Sequence, residues 1–376
     1  MIYLDGNATT PPDPAVVEAM TECLRQSWGN PSSLHLAGQA ARGTLERSRR
    51  RVAQLIGAQP DEIVFTSGGT EADNQVLAGW TSAGGPRHVV TTAIEHQALL
   101  APCQRLEAAG GRVTRVPAGR DGVVDPAAVA AALAPDTALV SVMLANNETG
   151  VLQPVAEIAR LAHARGIPVH TDAVQAVGRL PVDVVALGVD CLSLSAHKFH
   201  GPKGVGALFA RRGAALAPLL VGGHQESRRR AGTENLPGIA GLGRACELAL
   251  ARLAEDPPRL AALRDRLQQL LSDACPGLVV NGGGVPRLAN TLNVSFPGVD
   301  AQALAMNLDL LGFCVSTGSA CATASREPSH VLTAMGCGPE LAAGALRISL
   351  TRDNRADDIE QLGRVLPALV ARLKPS

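Results

Sequence analysis

The chain has 376 residues, of which 46% are apolar and only 2% aromatic, so a sizeable core must be filled mainly by Leu, Val, Ile and Ala. Lysine plus arginine equals aspartate plus glutamate at 34 each, and this zero net charge argues against a general nucleic-acid or membrane-surface binder, which needs a basic face. The eight cysteines include no Cys-x-x-Cys pair, which argues against a zinc ribbon or a thioredoxin-type site.

The first residues lack a basic stretch followed by an apolar one, as a secretory signal requires. No run of about 18 uninterrupted apolar residues suggests a membrane span. We therefore expect a cytoplasmic protein that makes no membrane contact and keeps its thiols reduced.

Apolar runs of strand length alternate with helix-patterned segments through the first two thirds of the chain. The strand-like runs are 63–66, 88–94, 138–144, 167–171 and 191–194. A helix at 155–165 is ended by Gly166, and 205–209 follows its predecessor without room for a helix, which leaves an antiparallel strand open there. Nearly continuous apolar strands separated by helices indicate an α/β fold with a mostly parallel sheet covered by helices on both faces.

The pattern breaks near Asp256-Pro257-Pro258. Long helical stretches at 239–254 and 259–274 flank this point, and strands such as 291–296 and 345–350 then mix with helices. The sequence therefore predicts a large domain over 15–255 and a smaller α+β domain formed by 1–14 and 256–376.

Unusual polar residues follow the predicted strands, at the edge where open parallel sheets bind ligands. The loop Ser67-Gly68-Gly69-Thr70 leads from a strand into a helix, and its glycines let backbone N–H groups approach an anion. The alternative is an ordinary helix cap by Thr70. The loop matches neither GxxxxGK[ST] nor GxGxxG, which argues against nucleoside triphosphate and dinucleotide sites.

Four further strand-end side chains suit a planar, charged cofactor. Asp172 can hold a cation, either Mg²⁺ or the protonated ring nitrogen of pyridoxal phosphate, although a helix cap is an alternative. His96 can stack on a ring or move protons, or else be a core histidine. Asn147 and Gln175 offer uncharged hydrogen bonds, or else serve local turns.

Lys198 follows the last apolar run, in Ser195-Ala196-His197-Lys198. Partial burial lowers the pKa of an amine, which makes a neutral nucleophile available for a Schiff base. The alternative is a surface lysine with only its stem covered. A phosphate cradle, an anion for a ring nitrogen, a stacking imidazole and a Schiff-base lysine together predict a pyridoxal phosphate site.

The chain resembles the cysteine desulfurases, which are class V, fold-type I pyridoxal phosphate enzymes. The resemblance runs from the first residues to about 350 and is carried by the segments 3–10, 66–74, 95–96, 146–150, 170–175, 195–198, 230–235, 316–321 and 327–332. The cysteine segment is similar to the NifS/IscS branch and unlike the RxGHHCA-type pattern of the other branch. One departure is Gly6, where the family usually has Asn.

The resemblance implies a role for each strand-end residue. Lys198 would carry the cofactor, Asp172 would pair with its ring nitrogen, and Gln175 would contact its ring hydroxyl. His96 would stack on the ring and relay protons, and Asn147 would hold the cofactor or the substrate. The phosphate would be bound by Gly69, Thr70, Ser195 and His197. Thr233 would reach the phosphate of a neighbouring subunit, which implies a homodimer with shared sites. Arg347 would clamp the substrate carboxylate, a bidentate task suited to guanidinium, and its alternative is a strand arginine in a surface ion pair.

Cys321 stands apart from the other seven cysteines, which suit apolar packing, because small residues surround it in 316–325. By the resemblance its thiolate would take sulfur from L-cysteine as a persulfide, leave L-alanine, and pass the sulfur to an iron–sulfur scaffold or another acceptor protein. Cys321 is also a candidate transient ligand of an iron–sulfur cluster.

Three questions stay open at this level. A class V aminotransferase, or a selenocysteine or cysteine lyase without a protein persulfide, would keep Lys198 and not need Cys321. A non-enzymatic sulfur carrier or scaffold would need clustered thiols, which the spacing does not provide. The sequence does not identify the sulfur acceptor. It also does not separate a nitrogen-fixation role from a housekeeping role, although the segment 230–235 favours nitrogen fixation.

Overall fold

The computed structural model describes residues 1–81, 87–214, 216–317 and 328–374. The strands are β1 (Ile2–Tyr3), β2 (Ile63–Thr66), β3 (His88–Thr92), β4 (Arg112–Val116), β5 (Thr137–Ser141), β6 (Val169–Asp172), β7 (Cys191–Ser195), β8 (Gly206–Ala210), β9 (Val279–Val280), β10 (Thr291–Ser295), β11 (Phe313–Cys314), β12 (Ser316–Thr317) and β13 (Ala345–Ser349).

The helices are α1 (Pro14–Gln26), α2 (Leu36–Ile56), α3 (Gly69–Trp80), α4 (Gln97–Ala108), α5 (Pro126–Ala132), α6 (Val155–His163), α7 (Val184–Leu187), α8 (Leu236–Arg252), α9 (Asp256–Ala274), α10 (Ala301–Leu310), α11 (His330–Ala334), α12 (Pro339–Ala343) and α13 (Ala356–Leu373). Short 3₁₀ turns cover Pro60–Glu62, Ala196–Lys198 and Gln225–Arg228. Within the described residues, no helix is both long and apolar enough to cross a membrane.

The large sheet has the strand order β2-β8-β7-β6-β5-β3-β4. The pairs from β7 through β4 are parallel, whereas β8 is antiparallel to both β7 and β2. The connection 196–205 holds no crossover helix, so β8 can only return beside β7 in the opposite direction. The mostly parallel α/β sheet predicted from the sequence is confirmed, and the strand at 205–209 is antiparallel.

The direction of the strands brings the candidate residues to one edge. Because β8 opposes both neighbours, β2 runs parallel to β7 and therefore to the rest of the sheet. The loops that follow β2, β3, β5, β6 and β7 consequently leave from the same edge, which is where ligands bind in such sheets. Every residue of β5, β6 and β7 is buried, so the polar side chains in these strands face the interior.

A second, antiparallel sheet has the order β12-β13-β10-β9, and β1 pairs in parallel with β11. Buried apolar side chains between Leu260 and Val370 form its core together with Leu4. Another core spans Val16 to Ala249 and includes Leu288 and side chains from 331–345. The domain limits at 14/15 and 255/256 stay a prediction.

The predicted break at Asp256-Pro257-Pro258 is the start of α9, three residues earlier than the pattern indicated. Proline is tolerated there because the first turn of a helix needs no N–H donor for intrahelical bonds. α8 packs against α1 and α2, while α9 packs against α13, so the chain changes neighbours at this point.

Gly6, the departure from the family pattern, lies where the N-terminal segment crosses the end of β13. Its N–H donates to Ser349 O at 2.8 Å. A Cβ at this position would come within 2.7 Å of Leu350 O, closer than side chains tolerate against backbone. A side chain at position 6 would therefore require one of the two backbones to shift.

Candidate functional site

Lys198 ends the 3₁₀ turn that follows β7, so its side chain starts at the ligand-binding edge of the large sheet. Its Nζ donates to Asn7 O at 2.7 Å and to Ala8 O at 3.0 Å. The N-terminal segment therefore passes directly over the candidate nucleophile. Lys198 also lies close enough to Asp172 for its charge to lower the pKa of that carboxyl.

The cradle predicted after β2 opens α3. Gly68 is the N-cap and no side chain caps the helix, so Thr70 lies inside the first turn and the alternative of Thr70 as an ordinary cap is wrong. A Cβ on Gly69 would come within 2.5 Å of Val174 Cγ2, and one on Gly68 within 3.6 Å of Ser195 Oγ. The glycines thus bring the helix N-terminus beside Ser195 and the Asp172 turn.

Asp172 is buried at the end of β6 and accepts the N–H of Val174 at 2.9 Å. The residues that follow form a turn, so the alternative of a helix cap is wrong. Burial raises the pKa of this carboxyl, while His96 and Lys198 act in the opposite direction. A carboxylate in this position is stabilised by a cation placed against it, such as a protonated ring nitrogen.

His96 is the N-cap of α4, and its Nδ1 accepts the N–H of Ala98 at 3.0 Å. An Nδ1 that accepts fixes the ring proton on Nε2. Burial lowers the pKa of His96, and the charges of Lys198 and His330 add to this, against the opposing effect of Asp172. The imidazole is therefore neutral near pH 7 and can present an Nε2–H to the site.

His197 contacts Thr9 Oγ1 through Nδ1 at 3.1 Å. Burial, followed by the charge of Lys198, lowers the pKa of His197 to about 4. A neutral imidazole can bind a phosphate only as a hydrogen-bond donor. The charge of a phosphate in this cradle would accordingly be met mainly by the N-terminus of α3.

Asn7 and Arg179 are two residues of the site that sequence reasoning missed. Arg179 donates to Gln175 Oε1 at 2.5 Å, to Asn7 Oδ1 at 2.7 Å, to Gly6 O at 2.7 Å and to Lys198 O at 3.1 Å. Burial lowers its pKa to about 9. Its guanidinium therefore connects the N-terminal segment, the Gln175 turn and the Lys198 turn through hydrogen bonds.

Gln175 is held by both ends of its amide. Its Nε2 donates to Asn7 O at 3.0 Å, and its Oε1 accepts from Arg179. One Nε2 hydrogen stays available for a ring oxygen, because a primary amide has two. The only sequence signal for Asn7 was its place inside a family segment, and Arg179 had none.

Asn147 and Arg347 contact each other beside the N-terminal segment. The carbonyl of Asn147 accepts from Arg347 Nη1 at 3.2 Å, and Arg347 Nη2 pairs with Asp5 Oδ1 at 2.8 Å. The Arg347 side chain is only 2% exposed, so the alternative of a surface ion pair is wrong. Arg347 Nε and Asn147 Oδ1 are both buried without a hydrogen-bond partner, which marks a place for the polar groups of a ligand.

Thr233 is exposed on an arm formed by residues 224–235, and it lines a cavity of about 170 Å³ with Ser67 and Glu226. Glu226, Ser227 and Arg228 all have positive φ, between 47° and 66°. Such a conformation costs about 1–2 kcal/mol per residue outside glycine. The reach of Thr233 to a neighbouring subunit stays a prediction.

A buried ion pair holds the arm in this conformation. Arg49 on α2 donates two hydrogen bonds of 2.7 Å to the Glu226 carboxylate, which also accepts the N–H of Phe65 at 2.9 Å. Arg49 stacks over the Phe65 ring at 4.8 Å. Both charged side chains are nearly inaccessible, and this bidentate geometry compensates their desolvation.

We expect Arg49→Met to lower the free energy of unfolding by about 3–5 kcal/mol, because it leaves the Glu226 carboxylate buried and unpaired. Chemical denaturation at pH 7 measures this. The control is Arg212→Met, which removes an exposed pair with Asp61 and should cost less than about 1 kcal/mol. Equal effects of the two substitutions would contradict the role of the buried pair.

Cys321, the predicted sulfur acceptor and candidate cluster ligand, lies outside the described residues. The cysteines within them carry no disulfide, and all are buried except the half-buried Cys314. Across the described ranges, no group of three or more His, Cys, Asp or Glu side chains could hold a metal ion.

Known proteins resemble this chain over nearly its whole length. The family model for aminotransferase class-V matches residues 2–362. A protein named cysteine desulfurase IscS from Methanosarcina thermophila is 46% identical over 375 residues, which cover 99% of this chain and 93% of that protein. Among solved structures, a NifS-like protein superposes with a TM-score of 0.91 at 38% identity, with 99% of this chain and 100% of that chain covered. SspA in complex with cysteine superposes with a TM-score of 0.83 at 35% identity, with 93% and 99% covered.

Proposed function

The chain belongs to the aminotransferase class-V family, and on that premise we propose that it is a pyridoxal phosphate-dependent cysteine desulfurase of the NifS/IscS type. The observation that carries the proposal is the meeting of Lys198, His96 and the buried Asp172 carboxylate at one edge of the sheet. Relatives named cysteine desulfurase, and a related structure in complex with cysteine, support L-cysteine as the substrate.

The groups at this edge fit pyridoxal phosphate. The uncapped start of α3 and the adjacent Ser195 suit a phosphate, and Asp172 supplies the anion for a protonated ring nitrogen. Lys198 would bind the aldehyde covalently, while the neutral His96 would stack on the ring. The orphaned Asn147 Oδ1 gives the ligand a hydrogen-bond acceptor.

When bound, the cofactor supplies an electron sink that weakens bonds next to the substrate's amine-bearing carbon. Arg347 would orient the substrate through its carboxylate, with the unpartnered Nε as a free donor. The amine of Lys198 would take the Cα proton, and His96 Nε2 would relay protons at the ring. The site residues thus orient the substrate and move protons, and the buried setting excludes water.

The Cys321 thiolate would attack the sulfur of the substrate. The Cβ–S bond breaks, a persulfide forms on Cys321, and alanine leaves after Cβ gains a proton. No external oxidant or reductant is needed, because the electron pair of the Cβ–S bond stays on Cβ, which is reduced to a methyl group, while the transferred sulfur is oxidised to the persulfide level. The persulfide sulfur would pass to an iron–sulfur cluster assembly acceptor in the cytoplasm, from a homodimer in which Thr233 reaches the neighbouring site.

The decisive experiment follows the products of L-cysteine in the presence of a thiol reductant. We expect alanine and sulfide in equal amounts, no keto acid, and no acceleration by an added 2-keto acid. An aminotransferase would instead depend on the keto acid, and a β-eliminating lyase would release pyruvate. Either outcome would refute the proposal, and cofactor-stripped protein serves as the blank.

A further inference from the structure

Asp73 is a buried carboxyl group that the proposed chemistry does not use. It lies one turn into α3, beyond the cradle, and is only 1% exposed. Neither of its carboxyl oxygens has a hydrogen-bond partner, and the nearest basic atom, His170 Nε2, is 3.5 Å from Oδ1. The Ser193 hydroxyl lies close enough to lower the pKa of Asp73 but not in hydrogen-bond geometry. A buried anion without donors is strongly disfavoured.

His170 does not supply a compensating charge. It lies two residues before Asp172 on β6, on the same face of the sheet. Its ring nitrogens contact Ser141 Oγ at 2.8 Å and Ser193 Oγ at 2.9 Å. Burial lowers the pKa of His170 to about 3, so the imidazole is neutral at physiological pH. Asp73 therefore faces neutral polar groups on this side.

The other ionisable groups that face Asp73 are acidic. Burial raises the pKa of Asp73 well above its ordinary value, and the charges of Asp172 and Glu95 raise it further. Glu95 is itself buried in the loop between β3 and α4, and burial raises its pKa to about 8. The three carboxyl groups thus lie close enough to interact, and ionisation of one opposes ionisation of the others.

Hydrogen bonding decides which group ionises. Asp172 accepts the Val174 N–H and lies in the field of Lys198 and His96, whereas Asp73 accepts no hydrogen bond. Environments that differ in this way push the pKa values of two neighbouring acids apart, so that each takes a different role.

We propose that Asp73 stays protonated in the interior near Asp172, so that Asp172 alone presents a negative charge to the candidate site. The neutral His170, held between Ser141 and Ser193, likewise adds no charge near Asp172. The stabilisation of a protonated ring nitrogen by Asp172 rests on the proposed function, whereas the protonation of Asp73 does not.

The first test uses cofactor-free protein and the variant Asp73→Asn, which mimics the neutral acid. A carboxyl whose folded-state pKa is raised contributes stability that is complete below its unfolded pKa and is lost as pH rises through the folded value. We therefore expect the melting temperature of Asp73→Asn, relative to wild type, to increase with pH. Asp309→Asn, the same change on an exposed side chain, should show no such trend. A melting-temperature difference that does not rise with pH would overturn the proposal.

The second test is the infrared carbonyl band of protonated carboxylic acids, recorded on cofactor-free protein at pH 7. We expect Asp73→Asn to remove part of this band and Asp309→Asn to leave it unchanged. Absence of the band from folded wild type would overturn the proposal without any variant. Both tests are independent of the cofactor, so they can fail or succeed separately from the proposed desulfurase activity.

In cofactor-loaded protein, Asp73→Asn should keep kcat within about a factor of three and leave the pH dependence of the cofactor spectrum unchanged. A shift of about one pH unit or more would show that the substitution removed a charge, and would contradict a protonated Asp73.

Discussion

Lys198→Ala is expected to abolish covalent attachment of the cofactor and to lower kcat by at least about 10²–10⁴-fold, the range for loss of a positioned acid–base group. The structure gives the reason, because the Lys198 amine is held over the sheet edge by Asn7 O and Ala8 O. No other described lysine occupies this edge, since Lys203 is exposed beyond the turn. Absorbance of the bound cofactor, and its loss on treatment with borohydride, measures the attachment.

The lysine that binds the cofactor can be located without ambiguity, because the chain contains only three lysines, Lys198, Lys203 and Lys374. Borohydride-fixed cofactor should be found by peptide mass analysis on Lys198 alone. Lys203→Met is the matched control and should retain both the visible absorbance and kcat within about a factor of three. Fixed cofactor on another lysine, or undiminished turnover by Lys198→Ala, would remove Lys198 from its assigned role.

Most of the residues that sequence reasoning identified end or follow a strand of the large sheet, whereas Arg347 lies within β13 of the second sheet and Thr233 on the 224–235 arm. Lys198, Asp172 and Asn147 could be placed at a common edge because strand order and direction constrain where loops leave a sheet. The resemblance then assigned a role to each. Whether Thr70 caps a helix could be decided only from the structure, because the answer depends on the exact first residue of the helix, and sequence patterns place that residue only to within about two positions.

The residues that were missed depend on long-range approach. Asn7 reaches Lys198 across 191 positions of the chain, and no local pattern encodes that contact. Arg179 has no motif of its own, yet it joins three segments through neutral acceptors. In the sequence, Asp73 and His170 are ordinary residues of a helix and a strand. They come close together only because α3 packs on β6.

Cys321→Ser is expected to eliminate the protein-bound persulfide and to lower alanine formation by at least about 10²-fold, because serine cannot accept the sulfur. Protein incubated with L-cysteine, and then freed of it, should gain the mass of added sulfur in the wild type only. Alanine is measured in the same samples. A persulfide on Cys321→Ser at the wild-type level would contradict the assignment.

The other seven cysteines give a separate reason to favour Cys321 as the sulfur acceptor. Burial raises the pKa of every described cysteine thiol, that of Cys103 to about 12, and even the half-buried Cys314 is raised. Such groups are protonated near pH 7, whereas the thiolate is the nucleophile. Cys314→Ser is accordingly the matched control, and it should keep the persulfide and the rate of alanine formation. The seven described thiols are therefore held in their unreactive form, which supports the proposal that Cys321 is the sulfur acceptor.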